Sequence, residues 1–268
     1  MIQVVAKPDR LGYGPAMKQN DQPQADNASF GYQDVDPGEK PGLVRDVFSS
    51  VAGNYDLMND LMSGGIHRLW KSTLIDLMRP KPDDTLLDVA GGTGDIAARF
   101  LDAGGGRATI CDLTEAMVMT GRDRMIDEGR LTGIDWTVGD AQSLPVPDRS
   151  VTVYSIAFGL RNVTDISAAL SEAYRVLKPG GRYFCLEFSH VALPFLDKLY
   201  DTYSFKVLPL LGQVVARDRD SYQYLAESIR RFPDQESLSK KMKAAGLDMV
   251  RYRNLSGGIA AIHSGWRT

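Results

Sequence analysis

The sequence predicts an α/β protein built on a parallel, doubly wound sheet with helices on both faces. Three observations carry that prediction. Apolar runs of strand length alternate with helical patterns from Leu86 to Phe188, as strand–helix–strand units require. One of those runs, Leu86-Leu87-Asp88-Val89-Ala90, passes straight into the glycine turn Gly91-Gly92-Thr93-Gly94, and a helical pattern resumes at Asp95. The chain has 268 residues, 43% of them hydrophobic and 24% charged, an ordinary globular balance with enough length for one large domain or two small ones.

Taken in order, residues 1 to about 38 are polar and rich in Gln, Asn, Asp, Pro and Gly, which predicts a loosely ordered arm ahead of the folded domain at 39–268. From Leu43 the pattern turns helical through Val44, Val47, Phe48 and Val51. The stretch Tyr55 to Trp70 mixes apolar anchors with polar groups, Tyr55 and His67 among them, at spacings where several can face one cavity. Gly64 and Gly65 divide it, and a helix runs from about Ile66 to Met78, stopped by Pro80 and Pro82. After the strand and turn at Asp88, Ala108 to Asp112 reads as a second strand, Glu115 to Gly129 as a helix, and Ile134 to Val138 as a third strand. Val151 to Ala157 is a buried strand, Ile166 to Leu177 a helix ended by Lys178-Pro179-Gly180-Gly181, and Arg182 to Phe188 the next strand. Leu193 to Ala216 breaks the alternation with an unusually apolar face and, with the helix from Tyr222 to Pro233, reads as a helical lid insertion at about 190–233. A plain helix pair packed on the sheet is the alternative. Ser237 to Ala245 is a last helix capped by Gly246, and Leu247 to Tyr252 with Gly258 to His263 form closing strands.

The bulk numbers exclude several classes. The net charge is −3 with no Lys/Arg run, which argues against a nucleic-acid partner. No stretch approaches 18 apolar residues, so no spanning helix is expected. Ile2 to Val5 is too short for a signal-peptide core, and Asp9, Asp21 and Asp26 are acids that transit peptides avoid. Cys111 and Cys185 fall in the second and fifth strands of the parallel run. In a sheet ordered 3-2-1-4-5 they stand three strand spacings apart, roughly 14 Å, where a disulfide needs α-carbons within about 7 Å. Reduced core cysteines and a cytoplasmic protein are expected.

The glycine turn opens a nucleotide-type pocket, since glycine lets the backbone approach a ligand closely. Gly92-Thr93-Gly94-Asp95-Ile96-Ala97 fits the dinucleotide spacing G-x-G-x-x-A. Asp88, inside the strand ahead of the turn, decides against it. Its carboxylate repels a pyrophosphate and welcomes an ammonium, such as the methionine end of S-adenosylmethionine. Asp112, with Leu113 beside it, ends the second strand where an acid can bond ribose hydroxyls. Asp140-Ala141 follows the third strand, where an adenine would lie. Arg161 and Asn162 follow the fourth, at the carboxyl end where open α/β sheets bind ligands. Each acid also has a plain structural alternative: a turn cap at Asp88, a helix cap at Asp112 and a surface turn at Asp140.

Three stretches resemble one family, the S-adenosylmethionine-dependent C-methyltransferases of ubiquinone and menaquinone biosynthesis. Tyr55-Asp56-Leu57-Met58-Asn59 with Ser63, His67 and Trp70 is similar to its first signature. Arg175-Val176-Leu177-Lys178-Pro179-Gly180-Gly181 with Glu187 and Ser189 is similar to its second. Phe158-Gly159-Leu160-Arg161-Asn162 and Ser221-Tyr222-Gln223-Tyr224-Leu225 add to the likeness, which covers about Gly38 to Arg267. The resemblance implies the class I methyltransferase fold, Rossmann-like, with a seven-stranded sheet whose last strand is antiparallel. It implies that Thr93, Asp112, Asp140 and Ala141 bind the cofactor. Where family members often carry Ser, this chain has Ala157, so a side-chain bond to the cofactor is lost there.

The resemblance further implies methyl transfer to a carbon of a polyprenyl quinol. A phenol has a pKa near 10, so ionising it at pH 7 costs about 4 kcal/mol, and the site must stabilise phenolate. Arg161 is the expected oxyanion holder, with Asn162 and Tyr55 orienting the ring or a water. That water, or His67 if it points inward, takes the proton. His67 is otherwise a capping or core histidine. The transfer itself needs no metal. The apolar face from Leu193 to Val215 is expected to meet the isoprenoid tail at the inner membrane surface, or to serve as a contact within a quinone-biosynthesis complex; a homodimer stays open. Three rival functions remain: a class I methyltransferase acting on oxygen or nitrogen, a non-catalytic scaffold of a quinone-synthesis assembly, and a nicotinamide dehydrogenase.

Overall fold

The computed structural model describes residues 28–51, 60, 63–191 and 219–268. Most of the expected arm, Tyr55, and the apolar run from Leu193 to Val215 lie outside the described residues. The arm's last part is ordered. Ala28–Phe30 (β1) and Gln33–Val35 (β2) form an antiparallel hairpin with Gly31 at φ +59° in its turn. Helix α1 spans Lys40–Val51 and α2 spans His67–Met78.

The alternating segment folds as β3 (Thr85–Val89), α3 (Asp95–Asp102), β4 (Arg107–Asp112), α4 (Glu115–Asp127), β5 (Ile134–Val138), β6 (Val151–Ala157), α5 (Ile166–Val176) and β7 (Leu177–Phe188). It is followed by α6 (Arg219–Arg231), α7 (Gln235–Ala244), β8 (Asp248–Leu255) and β9 (Ala260–Trp266). The second sheet has seven strands in the order β5-β4-β3-β6-β7-β9-β8. Its pairs are parallel from β5 to β7, and β9 runs antiparallel to both β7 and β8. The last strand of the chain is therefore the antiparallel one. Cys111 in β4 and Cys185 in β7 are three strands apart, buried and free.

Two boundaries differ from the sequence reading. Strand β7 begins at Leu177, which pairs with Val151 before the register shifts and pairing resumes at Val153 and Arg182. The Lys178–Gly181 turn bulges out between them, with Gly180 at φ +80°, and is tied to the chain end by Gly180 N–H to Arg267 O and Arg267 N–H to Gly181 O. The closing strands reach Leu255 and Trp266 because the Ser256–Gly258 turn between them is tight.

Strand alternation sorts the core onto two faces. Leu86, Ile110, Val153 and Leu186 pack with Trp70, Leu74, Met78 and Phe100 of α2 and α3. Leu87, Val89, Cys111 and Ile156 pack with Leu170, Ala173, Leu238 and Met242 of α5 and α7. Each fully buried leucine contributes about 2 kcal/mol. The same period of two puts Asp88 on the Leu86 face, toward α2 and α3.

Candidate active site

The site forms beyond the carboxyl ends of β3, β4, β5 and β6, in two adjoining recesses. The larger, about 690 Å3 including its open mouth, is lined by Gly92, Asp112, Leu113, Asp140, Ala141, Asn162 and three α1 residues, Pro41, Val44 and Phe48. The smaller, about 320 Å3, is lined by Lys71, Asp88, Gly91, Thr93, Asp95 and Ala157. Ala90 and Phe158 border both. Both residues have left-handed backbone, φ +50° and +58°. That conformation costs a non-glycine residue roughly 1–2 kcal/mol and is typical of functional turns.

Asp88 is buried at the end of β3. Register places it opposite Ser155 of β6, whose Oγ donates to Oδ1 at 2.6 Å. Oδ2 has no hydrogen-bond partner among the described residues. A buried carboxylate oxygen left unsatisfied is costly, and burial pushes this carboxyl up to about 7 against the pull of Ser155 and Lys71. A Cβ on Gly91 would stand 2.9 Å from both that Oδ2 and the Asp88 carbonyl oxygen, so this turn position admits only glycine. Asp88 caps no loop amide among the described residues. Its free oxygen is open to a cationic donor in the smaller recess.

Asp112 does cap: Oδ2 accepts from Gly92 N–H and Oδ1 from Thr114 N–H, both at 2.9 Å. Burial raises its pKa and those amides oppose the rise. It faces the larger recess all the same. Asp140 accepts from the backbone N–H and side-chain amide of Gln142, beside buried Ala141. Thr93 is buried and lines the smaller recess, as does half-buried Ala157. Gly94 lines neither recess. It caps α3 at φ +84°, and a Cβ there would meet Ile110 at 2.8 Å and Trp136 at 3.0 Å, so packing alone demands glycine.

Arg161, the expected oxyanion holder, is already paired within the protein. Its Nη1 donates to Glu187 Oε2 at 2.8 Å and to Phe158 O at 2.6 Å, and both charged side chains are buried. The buried Arg161 Nε lacks a hydrogen-bond partner among the described residues. Asn162 lines the larger recess, and its Oδ1 accepts from the Tyr224 hydroxyl at 3.0 Å. His67 lines neither recess. Its Nε2 bonds Asp60 Oδ1 at 2.8 Å, while Nδ1 is buried without a partner among the described residues. Burial lowers its pKa against the Asp60 bond, so the ring is neutral at pH 7. Tyr55 lies outside the described residues.

Sequence reasoning missed Ser155, Lys71 and Lys40. Ser155 was findable only through the β3–β6 register. Lys71 stands one helical turn from His67 and bonds Asp95 Oδ2 at 2.9 Å. Burial pushes Lys40 down to about 8, and its ammonium donates to Val163 O at 2.9 Å, tying α1 to the Asn162 turn.

The model of the ubiE/COQ5 methyltransferase family matches residues 35–267. Relatives named ubiquinone/menaquinone biosynthesis C-methyltransferase UbiE include one from Cereibacter sphaeroides, 56% identical over 239 residues, covering 89% of this chain and 96% of the relative. One from Acidiphilium cryptum is 57% identical over 243 residues, covering 91% and 98%. Among solved structures, a methyltransferase of Thermotoga maritima, titled a possible histamine N-methyltransferase, superposes with a TM-score of 0.62 at 19% identity over 84% of this chain and 100% of that one. A SAM-dependent methyltransferase of Aquifex aeolicus does so with a TM-score of 0.59 at 16% identity over 82% and 98%. At those identities the structural likeness establishes the class I methyltransferase fold and nothing finer. The near full-length sequence match settles the rest: the chain belongs to the ubiE/COQ5 methyltransferase family.

Proposed function

We propose that this chain methylates a ring carbon of a polyprenylated benzoquinol or demethylmenaquinol, using S-adenosylmethionine. The observation that carries the reading is the 56–57% identity, over 96–98% of their length, to relatives named ubiquinone/menaquinone biosynthesis C-methyltransferases. The residues present suit the cofactor. The unsatisfied Asp88 Oδ2 fits its ammonium, Thr93 and Gly91 border that end, Asp112 faces where ribose hydroxyls would lie, and Asp140 with Ala141 borders the adenine end. S-Adenosylmethionine supplies an electrophilic methyl group on a sulfonium.

What the protein adds is position and charge stabilisation. The Asn162 carboxamide, held by Tyr224, orients a substrate hydroxyl. Arg161 keeps the Phe158–Asn162 turn in place and offers Nε–H to the ring oxygen as it becomes anionic. A positioned water takes the phenolic proton, because His67 is held on Asp60 through Nε2 and borders neither recess. Tyr55 is assigned with Asn162 to the ring. The apolar run from Leu193 to Val215 is assigned to the isoprenoid tail and to peripheral membrane contact. Among the described residues no helix is long and apolar enough to cross a membrane.

Mass spectrometry of the quinones that accumulate when the gene is removed tests the reading. Loss of the C-methylated product supports it, and fragmentation placing the methyl on oxygen would move the chain to the O-methyltransferases. Liposome flotation with no association, with or without quinone, would remove the membrane assignment.

A further inference from the structure

The smaller recess is lined by two side chains of opposite charge, Asp88 and Lys71. Asp88 enters it from β3 with an unsatisfied, fully buried carboxylate oxygen. Lys71 enters from α2 with a side chain only 5% exposed. The Lys71 ammonium has three donors, and the structure gives one hydrogen bond, to Asp95 Oδ2 at 2.9 Å. Asp95 is shared, because its Oδ1 accepts from Arg99 Nε at 2.9 Å. Burial alone would raise the Asp95 carboxyl, yet the two cations hold it below its usual value. Lys71 and Arg99 against Asp95 leave one positive charge over, and an ionised Asp88 supplies one negative charge across the same small space. A recess with a cation and an anion on facing elements, neutral in sum, is complementary to a zwitterion.

We propose that Lys71 and Asp88 form a receptor for an α-amino-acid end, Asp88 taking the ammonium and Lys71 the carboxylate. The chain thereby selects a cofactor that carries that carboxylate. The inference rests on S-adenosylmethionine being the cofactor and goes beyond it by fixing which residue reads the carboxylate. Lys71 acts in specificity and takes no part in the chemical step.

Isothermal titration of the full chain with S-adenosylmethionine and with decarboxylated S-adenosylmethionine tests it, since the two differ only in the carboxylate. A charge-assisted hydrogen bond in a buried site predicts that the wild type prefers the carboxylated ligand by roughly 10- to 100-fold. Lys71→Met keeps the aliphatic stem and leaves Asp95 with Arg99. It should weaken the carboxylated ligand by that factor and leave the decarboxylated one unchanged, while Lys71→Arg keeps most of the preference. A variant that merely disturbs the fold weakens both ligands alike. Equal affinities in the wild type, or an equal loss for both ligands in Lys71→Met, would overturn the assignment while leaving the cofactor in place. If neither ligand binds the wild type, the cofactor reading and this inference fall together.

Discussion

Arg161 and Glu187 form an ion pair 2.8 Å apart with both side chains 1% exposed. Burial pushes the Glu187 carboxyl up while Arg161 pulls it down, and the pair stands neutral behind the larger recess. Arg161 is thus first a positioning residue for a strained turn. Breaking such a pair from one side strands a buried charge, at about 3–5 kcal/mol. Arg161→Ala and Glu187→Ala should each destabilise by that amount in urea unfolding. The double replacement Arg161→Met with Glu187→Leu should recover most of the stability yet stay at least roughly 100-fold slow in single turnover. Wild-type turnover in the double variant would remove Arg161 from the mechanism.

Burial raises the pKa of the Asp88 carboxyl, as it does those of Asp112 and Glu187. The folded Asp88 pKa is pushed up to about 7, well above that of a free carboxyl, so the folded chain holds the proton more tightly. That stability is present at low pH and lost as pH rises from about 4 through 7. Asp88→Asn removes the loss. Its stabilising effect should grow by roughly 2–3 kcal/mol between pH 5 and pH 8, while cofactor binding collapses. A gain of equal size at both pH values would contradict the assignment.

The same titration predicts how the wild type binds. Holding an ammonium requires Asp88 ionised, so cofactor affinity should fall toward tenfold per pH unit below about 7. Titration across pH 5.5 to 8 reads the slope. A flat profile in the wild type would assign the ammonium to another group.

Tyr224 connects the N-terminal hairpin to the site. Phe30 stacks on its ring at 4.2 Å, and its hydroxyl bonds Asn162. Burial raises its phenol pKa, so the hydroxyl remains a donor at neutral pH. Tyr224→Phe should lower kcat roughly tenfold through a loosened carboxamide, costing about 1 kcal/mol of stability, with cofactor affinity unchanged. Unchanged kcat would show that Asn162 needs no such support.

Gly94→Ala should destabilise by about 2–3 kcal/mol, because it combines φ +84° with a Cβ 2.8 Å from Ile110. Thermal unfolding checks this. A purely functional glycine would lose binding and keep its melting temperature.

Local pattern alone was enough for the strands at Leu86, Ala108, Ile134 and Val151, because a half- or fully buried strand writes its period into consecutive residues. It was enough for Asp88 ahead of its turn, since the glycines and the acid are neighbours in the chain. It gave no sign of the hairpin at Ala28–Val35, whose polar sequence is held by contacts to α6: Glu227 Oε2 accepts from Tyr32 N–H at 3.0 Å across 195 residues. Ser155 on Asp88, Lys71 beside it, and Glu187 on Arg161 are likewise separated by 67, 17 and 26 positions in the chain. The sequence by itself determined which elements form and which one carries the acid ahead of the glycine turn. Only the tertiary structure decided which charges are already spent and which are open, because a buried group's partner is chosen by strand order and helix packing, and those bring together residues whose spacing in the chain carries no record of the meeting.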